Sequence, residues 1–257
     1  MRNFRTLFVL GVALLALTTA ARADDDAKDI IKKAIKAHGG EDVLKKNRVR
    51  PGQFSGEAHI EAEGLELSGT MEMTAMMKNN SYRFRQDLNL KVMDMEVRQS
   101  VGFDGKELWI TLNDQVFMTY DSEDDLKLIR ESNWAEEAAD LVVLLEPGVE
   151  LAIVGEDKVG DHPVVGVRVS KKGFKDVLLY FDQKTYLLRK IQNQSLDFMS
   201  RKEVEQERIL DDYTDLEGQK MPKKLTFFQD GKKLLDLQVK EMKFLDHVEE
   251  GFFSRPK

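Results

Sequence analysis

The sequence predicts a mainly β protein, with a few helices and a single curled antiparallel sheet of about ten or eleven strands. Three observations carry that prediction. Apolar and polar residues alternate with period two from Phe54 almost to the end of the chain, the pattern of strands with one dry and one wet face. Turn signals recur roughly every ten residues with no helices between the strands, which favours antiparallel hairpins over βαβ units. Helical periodicity is confined to two stretches. An open sheet of this size tends to curl.

The first helical stretch runs from Asp25 to Lys46. Ala27, Ile30, Ile31, Ala34, Ile35 and His38 recur on one face, and Gly39-Gly40 supplies the left-handed stop before a short second turn, Glu41 to Lys46. His38 ends that stripe, where an imidazole most simply caps carbonyls. Phe54 to Glu63 and Leu65 to Ala75 then form a long hairpin around Glu63-Gly64. Tyr82 and Phe84 follow the Lys78-Asn79-Asn80 turn, with Arg83 and Arg85 on the opposite, solvated side. Met93, Met95, Val97 and Val101 alternate with Asp94, Glu96 and Arg98. Glu107–Leu112 and Val116–Tyr120 are set off by Asp104-Gly105 and Asn113-Asp114.

A second helix interrupts the strands. Ser122 and Asp125 form a capping box, and no Gly or Pro appears before Pro147-Gly148. Leu126, Ile129, Trp134, Ala138, Leu141 and Leu145 lie broadly on one face. Strands resume at Glu150–Val154, Val164–Val169, Val177–Phe181, Leu187–Gln192, Glu203–Tyr213, Lys223–Gln229 and Leu234–Phe244. Asp246 to Phe253 reads as a last helical turn covering a sheet edge.

Composition narrows the chemistry. The 257 residues include no cysteine, which excludes a disulfide framework, zinc-thiolate and iron–sulfur sites, and a cysteine nucleophile. A formal charge of −7, with both signs interspersed, gives no reason to hold a nucleic acid. Arg2 and Arg5 precede the apolar run Leu7–Leu17, and small residues follow to Ala21-Arg22-Ala23, the layout of a secretory signal peptide cleaved after Ala23. The run is far shorter than the roughly 20 residues of a membrane span. Residues 1–23 thus read as a leader and 24–257 as one exported, periplasmic domain. Removing Arg2, Arg5 and Arg22, and no acid, moves the charge from −7 to −10.

No constellation for catalysis is present. The four histidines, His38, His59, His162 and His247, lack metal-ligand spacing, and there is no nucleophile elbow, Walker loop or dinucleotide fingerprint. Acidic neighbours such as Asp124-Asp125 and Asp211-Asp212 serve most simply as turn and cap residues. The chain therefore reads as a binding protein, not an enzyme, with no cofactor. The methionines are more informative: six of the 11 fall between residues 71 and 95, and Met71, Met73, Met93 and Met95 take the apolar side of neighbouring strands. Alternation alone says only that they point inward. Yet an unbranched thioether adapts rather than specifies, which suits a cavity whose occupant varies. Leu67, Phe84, Val97, Trp109 and Trp134 complete the candidate binding set, although lone tryptophans are more often core anchors.

The helix ending Ala37-His38-Gly39-Gly40, the run Phe103-Asp104-Gly105-Lys106-Glu107-Leu108-Trp109, Tyr180-Phe181-Asp182-Gln183-Lys184-Thr185, and Asp211 to Pro222 together resemble the LolA/LolB-like periplasmic lipoprotein-carrier superfamily, in its outer membrane lipoprotein-sorting branch. The resemblance spans nearly the whole mature chain. It implies an unclosed half-barrel whose helices act as a lid over an apolar concavity for acyl chains, with lipid or acylated lipoprotein as cargo and an inner- or outer-membrane protein as a possible partner. It also implies an interior arginine holding the lid, for which Arg83, Arg85 and Arg98 are candidates. A lipid-sensing envelope regulator acting through a membrane protein is the alternative reading, and an interior filled by the protein's own side chains is the third. Which strand face lines the concavity stays open.

Overall fold

The computed structural model describes residues 26–256 apart from 63, 80, 94, 198 and 199. The proposed leader lies outside the described residues. Among the described residues thirteen strands form one antiparallel sheet in the order β6-β5-β4-β3-β2-β1-β13-β12-β11-β10-β9-β8-β7. The edges, β6 (Gln115–Tyr120) and β7 (Val149–Val159), do not pair with each other, so the barrel is unclosed. The count exceeds the ten or eleven expected. All the apolar alternations mark strands, and the 13 include the short β5 (Leu108–Leu112).

Connections are local. β1 (Gly52–Ala62) pairs with β2 (Leu65–Lys78) and, across the chain, with β13 (Lys232–Phe244), placing Ile60 opposite both Leu67 and Leu235. β3 (Ser81–Val92) and β4 (Met95–Phe103) follow, then β5 and β6. β8 (His162–Lys171), β9 (Val177–Asp182), β10 (Leu188–Asp197), β11 (Lys202–Leu216) and β12 (Gln219–Gln229) complete the sheet. Met93 is not on a strand, contrary to the expected alternation. β3 runs on to Val92, which pairs with Met95, and Met93 sits in the tight turn between them with φ 55°. Primed hairpin turns demand positive φ, which Met rarely adopts, so the sequence carries no turn signal there.

The first helical stretch divides into α1 (26–37) and α2 (Glu41–Arg48) around Gly39 and Gly40. A Cβ on Gly39 would meet the Gly218 carbonyl oxygen at 2.2 Å, so this close approach requires glycine. His38 caps as expected: its Nδ1 bonds the Ala34 carbonyl at 2.8 Å, and its Nε2 faces the Leu188 amide at 3.4 Å. Burial holds its pKa below the ordinary value. α3 (Glu123–Ala139) starts at the Ser122 box, whose Oγ accepts the Asp125 amide at 3.2 Å. It ends earlier than expected, because Leu141 turns to φ 64° and a 3-10 segment, Val142–Leu145, follows.

The helices pack on one half of the sheet. Ile31, Ala34, Trp134, Ala138 and Leu144 close over Val167, Val169, Leu179, Phe181 and Ile191 in a continuous buried core. Smaller clusters hold the other half: Ala58, Met71, Leu88, Leu237 and Val239 along β1–β3 and β13, and Phe103, Leu108, Ile110, Tyr120 and Ile129 beneath the start of α3. The C-terminal turn covers the outer face, not an edge as expected. Trp109 points there, where its Nε1 donates to the Phe253 carbonyl at 2.9 Å. Gly102 makes room for it, since a Cβ would lie 2.3 Å from the indole.

Candidate functional site

Between the open half of the sheet and the underside of α2 and α3 lies a cavity of about 610 Å³. That is within the roughly 300–1,000 Å³ of small-molecule sites. β1, β2, β3, β12 and β13 build its floor, on which Phe54, Met71, Met73, Leu225, Phe227 and Leu237 stand. Register explains the grouping. Phe54 faces Met73, and Leu225 faces Leu237 across the ladder, so alternation brings one parity of five strands to a single concave surface.

α3 presents two faces. Trp134, Ala135 and Ala138 are buried in the main core. Ser132, Asn133, Glu136 and Asp140 line the cavity instead. The spacing of 132, 136 and 140 is one helix face, opposite that of 134, 135 and 138.

Ion pairs tie this helix to its surroundings. Arg208 of β11 reaches Glu136 through two contacts, at 2.9 and 2.8 Å. Burial works against the guanidinium's charge, yet Glu136 holds its pKa above the ordinary value. Arg48 of α2 lies 3.4 Å from Asp140 and 3.8 Å from Glu137. Burial raises both carboxylates, Asp140 to about 7, against the pull of Arg48. The Asp140 side chain sits deep within the fold but keeps 36% of its surface open, so its raised value depends on how dry the concavity is. Tyr82 lies on the same wall, and burial lifts its phenol well above the ordinary range.

Of the nine sequence-derived candidates, Met71, Met73 and Phe84 line this cavity. Leu67 shares their strand face on β2 but lies beyond the lining, as does Val97 on β4. Met93 and Met95 are exposed at the β3–β4 hairpin tip, at 93% and 63%. Trp109 stands on the outer face and Trp134 in the helical core, against Phe174 and Lys171. Arg83, Arg85 and Arg98 belong to the outer face, alternating with the lining residues Tyr82, Phe84, Gln99 and Val101. There Arg85 pairs with Asp87 and lies over Trp109. The interior arginine that grips the helix is Arg208, and no spacing in the sequence singles it out. Met221 and Met242 also escape the sequence reading. They join Met71, Met73, Met76 and Met77, so that six methionines among the described residues line the cavity. Reading methionines along the whole chain would have found them.

Among the described residues, no group of three or more His, Asp or Glu is arranged to hold a metal ion. No helix among them is long and apolar enough to cross a membrane.

No protein-family model and no curated protein matches the sequence. Solved structures do. A LolA superfamily protein from Nitrosomonas europaea superposes with a TM-score of 0.52 at 12% identity, over 89% of this chain and 97% of that one. A DUF1329 family protein from Desulfovibrio piger gives 0.55 at 10% identity over the same shares. At such identities the likeness is one of fold. The chain has a LolA-like fold.

Proposed function

We propose that this chain is an exported carrier that shelters lipid or lipoprotein acyl chains in its concavity while they cross the periplasm. The observation that carries the reading is the methionine-lined cavity of about 610 Å³ under a helix held by ion pairs. Each buried CH2 is worth roughly 0.8 kcal/mol. One chain of about fifteen carbons therefore supplies about 12 kcal/mol before the costs of ordering. Such binding needs a means of release. α3 is the element that covers the cavity, and Arg208–Glu136 together with Arg48–Asp140 are the contacts that its lifting would break. The apolar candidates Met71, Met73 and Phe84 would touch the chains directly, while Leu67 and Val97 extend the same face for longer occupants. The LolA-like fold supports the reading, as does the leader-like first segment of the sequence. Binding without catalysis is part of the proposal.

Organic extraction of the purified protein followed by mass spectrometry should recover acylated molecules, and a fluorescent acyl probe should be displaced by them. Protein that extracts clean and also ignores both a fluorescent fatty acid and a fluorescent diacylglycerol would overturn the carrier reading.

A further inference from the structure

The polar part of the lining is distinctive in what it lacks. Among the described residues four cations line the cavity, and three are already occupied. Arg208 is gripped by Glu136, Arg48 stands against Asp140 and Glu137, and Arg50 is held by Glu217 at 2.6 Å. The fourth, Lys243, is exposed. Because the solvated Lys243 offers only a screened charge, an anionic head group held inside the cavity would have to displace a carboxylate from a partly buried arginine. That would leave two negative charges where there was one, a costly exchange out of water.

Uncharged donors and acceptors are, by contrast, free. Gln86, Gln99, Gln206 and Gln229 line the cavity, all half-buried. Gln206 faces Gln229 across the β11–β12 ladder. Gln86 pairs with Val101, so Gln99, two residues along, is its diagonal neighbour on β3–β4. Ser132 and Asn133 of α3 add to them from above. None of these six side chains has a hydrogen-bond partner among the described residues. Half-buried amides that stay unpartnered are expensive unless a ligand or water satisfies them. Two amide pairs on two walls of one apolar cavity can both donate to and accept from a neutral head group.

We infer that this cavity selects amphiphiles whose head group is uncharged and hydrogen-bonding, hydroxyl or amide in kind, over lipids that carry a phosphate or carboxylate. The inference rests on the carrier reading and names the class of ligand it favours. A site whose polar groups are matched to hydroxyls discriminates strongly, because the wrong head group leaves them unpaired or brings an uncompensated charge.

The test keeps the acyl chain constant. Monooleoylglycerol and oleoyl lysophosphatidylglycerol, each below its aggregation concentration, compete for a fluorescent acyl probe at pH 8. The neutral lipid should bind at least tenfold more tightly. Gln86→Leu and Gln229→Leu should each weaken monooleoylglycerol several-fold and leave the lysophospholipid nearly unchanged. Gln206→Lys should reverse the preference, and thermal melting of each variant checks that the fold is intact. Equal or tighter binding of the lysophospholipid by the wild-type chain would overturn the inference and leave the carrier reading standing. Unchanged preference in all three folded variants would overturn it too. Failure of both lipids to displace the probe, with no acylated molecule extracted, would overturn the carrier reading itself.

Discussion

The two halves of this sheet use the same strands and the same alternation to opposite ends. Along β8 and β9, Val167, Val169, Leu179 and Phe181 have no exposed surface, because α1, α3 and the 3-10 segment fill the concave side. Along β2, β3 and β12, Met73, Phe84 and Phe227 are only half-buried, because α3 spans that side without filling it. The residue choices follow. β-branched and aromatic side chains, which lock into defined rotamers, specify the filled half, and flexible thioethers with glutamine amides furnish the open one. Rigidity on one side is what lets the other stay hollow: α3 is anchored by Trp134 and Ala138 so that its opposite face can hang over empty space.

The widest separation between the halves should appear on truncation. Phe181→Ala removes a ring from a closed core and should cost about 3–5 kcal/mol. Met73→Ala only enlarges a space that already exists, and should cost less than about 1 kcal/mol. Urea denaturation with a common slope measures both, and similar losses at the two sites would erase the distinction. Next in size is the tether between them. Glu136→Ala leaves Arg208 facing the cavity without its counter-charge, and with Glu136 about a third exposed (32%) the expected loss is about 2 kcal/mol. Hydrogen exchange should show that loss concentrated in α3. A uniform loss of protection would mean that the helix does not move separately.

Overpacking gives a smaller contrast of the same kind. Val167→Phe forces volume into the filled half and should cost about 1–3 kcal/mol, whereas Met73→Phe should be accepted within about 1 kcal/mol while lowering acyl-probe capacity. A Met73→Phe chain that is as destabilised as Val167→Phe would mean that the concavity has no room to spare.

Much of this architecture is legible in the sequence, and the failures have physical causes. The alternation of Leu65 to Ala75 with its polar partners is strict enough to fix which residues share a face, and Ser122 with Asp125 marks the start of α3 unaided. Period two, however, names a face without saying whether it is inner or outer. Trp109 enters the binding set on alternation because nothing local reveals that Phe252 and Phe253 return to cover the outside. Met93 continues an apolar series through a turn that lacks Gly, Asn or Pro at the position with positive φ. Arg208 is one charged residue among many on β11, and its role arises only from strand order and the helix above it. The glutamines carry no pattern at all until the register sets them opposite one another.

Smallest and most specific is a pH effect at Asp140. In the folded chain its carboxyl titrates at about 7 rather than near 3.8, so between those values the folded state holds a proton that the unfolded state has released. Stability from this group is therefore fully present below about pH 3.8 and is lost progressively as pH rises from there through about 7. Glu137, also raised by burial, acts in the same direction, while His38, lowered by burial, acts against them below its ordinary 6.5. The carboxylates with lowered values, such as Asp182 and Asp236, lose their contribution only on stronger acidification. The difference between wild type and Asp140→Asn isolates the one group. A tenfold change in proton affinity corresponds to about 1.4 kcal/mol, but a side chain 36% exposed is screened by solvent. We expect the variant to match wild type at about pH 3.5, below the unfolded carboxyl's own value, and to exceed it by about 1 kcal/mol at pH 8. An acyl occupant that dries the open half should raise the Asp140 value further, so wild-type affinity should fall between pH 6 and 8 while that of Asp140→Asn stays flat. Parallel profiles for the two chains, with and without ligand, would place Asp140 outside the concavity's influence and remove the link between its burial and the emptiness of this half of the sheet.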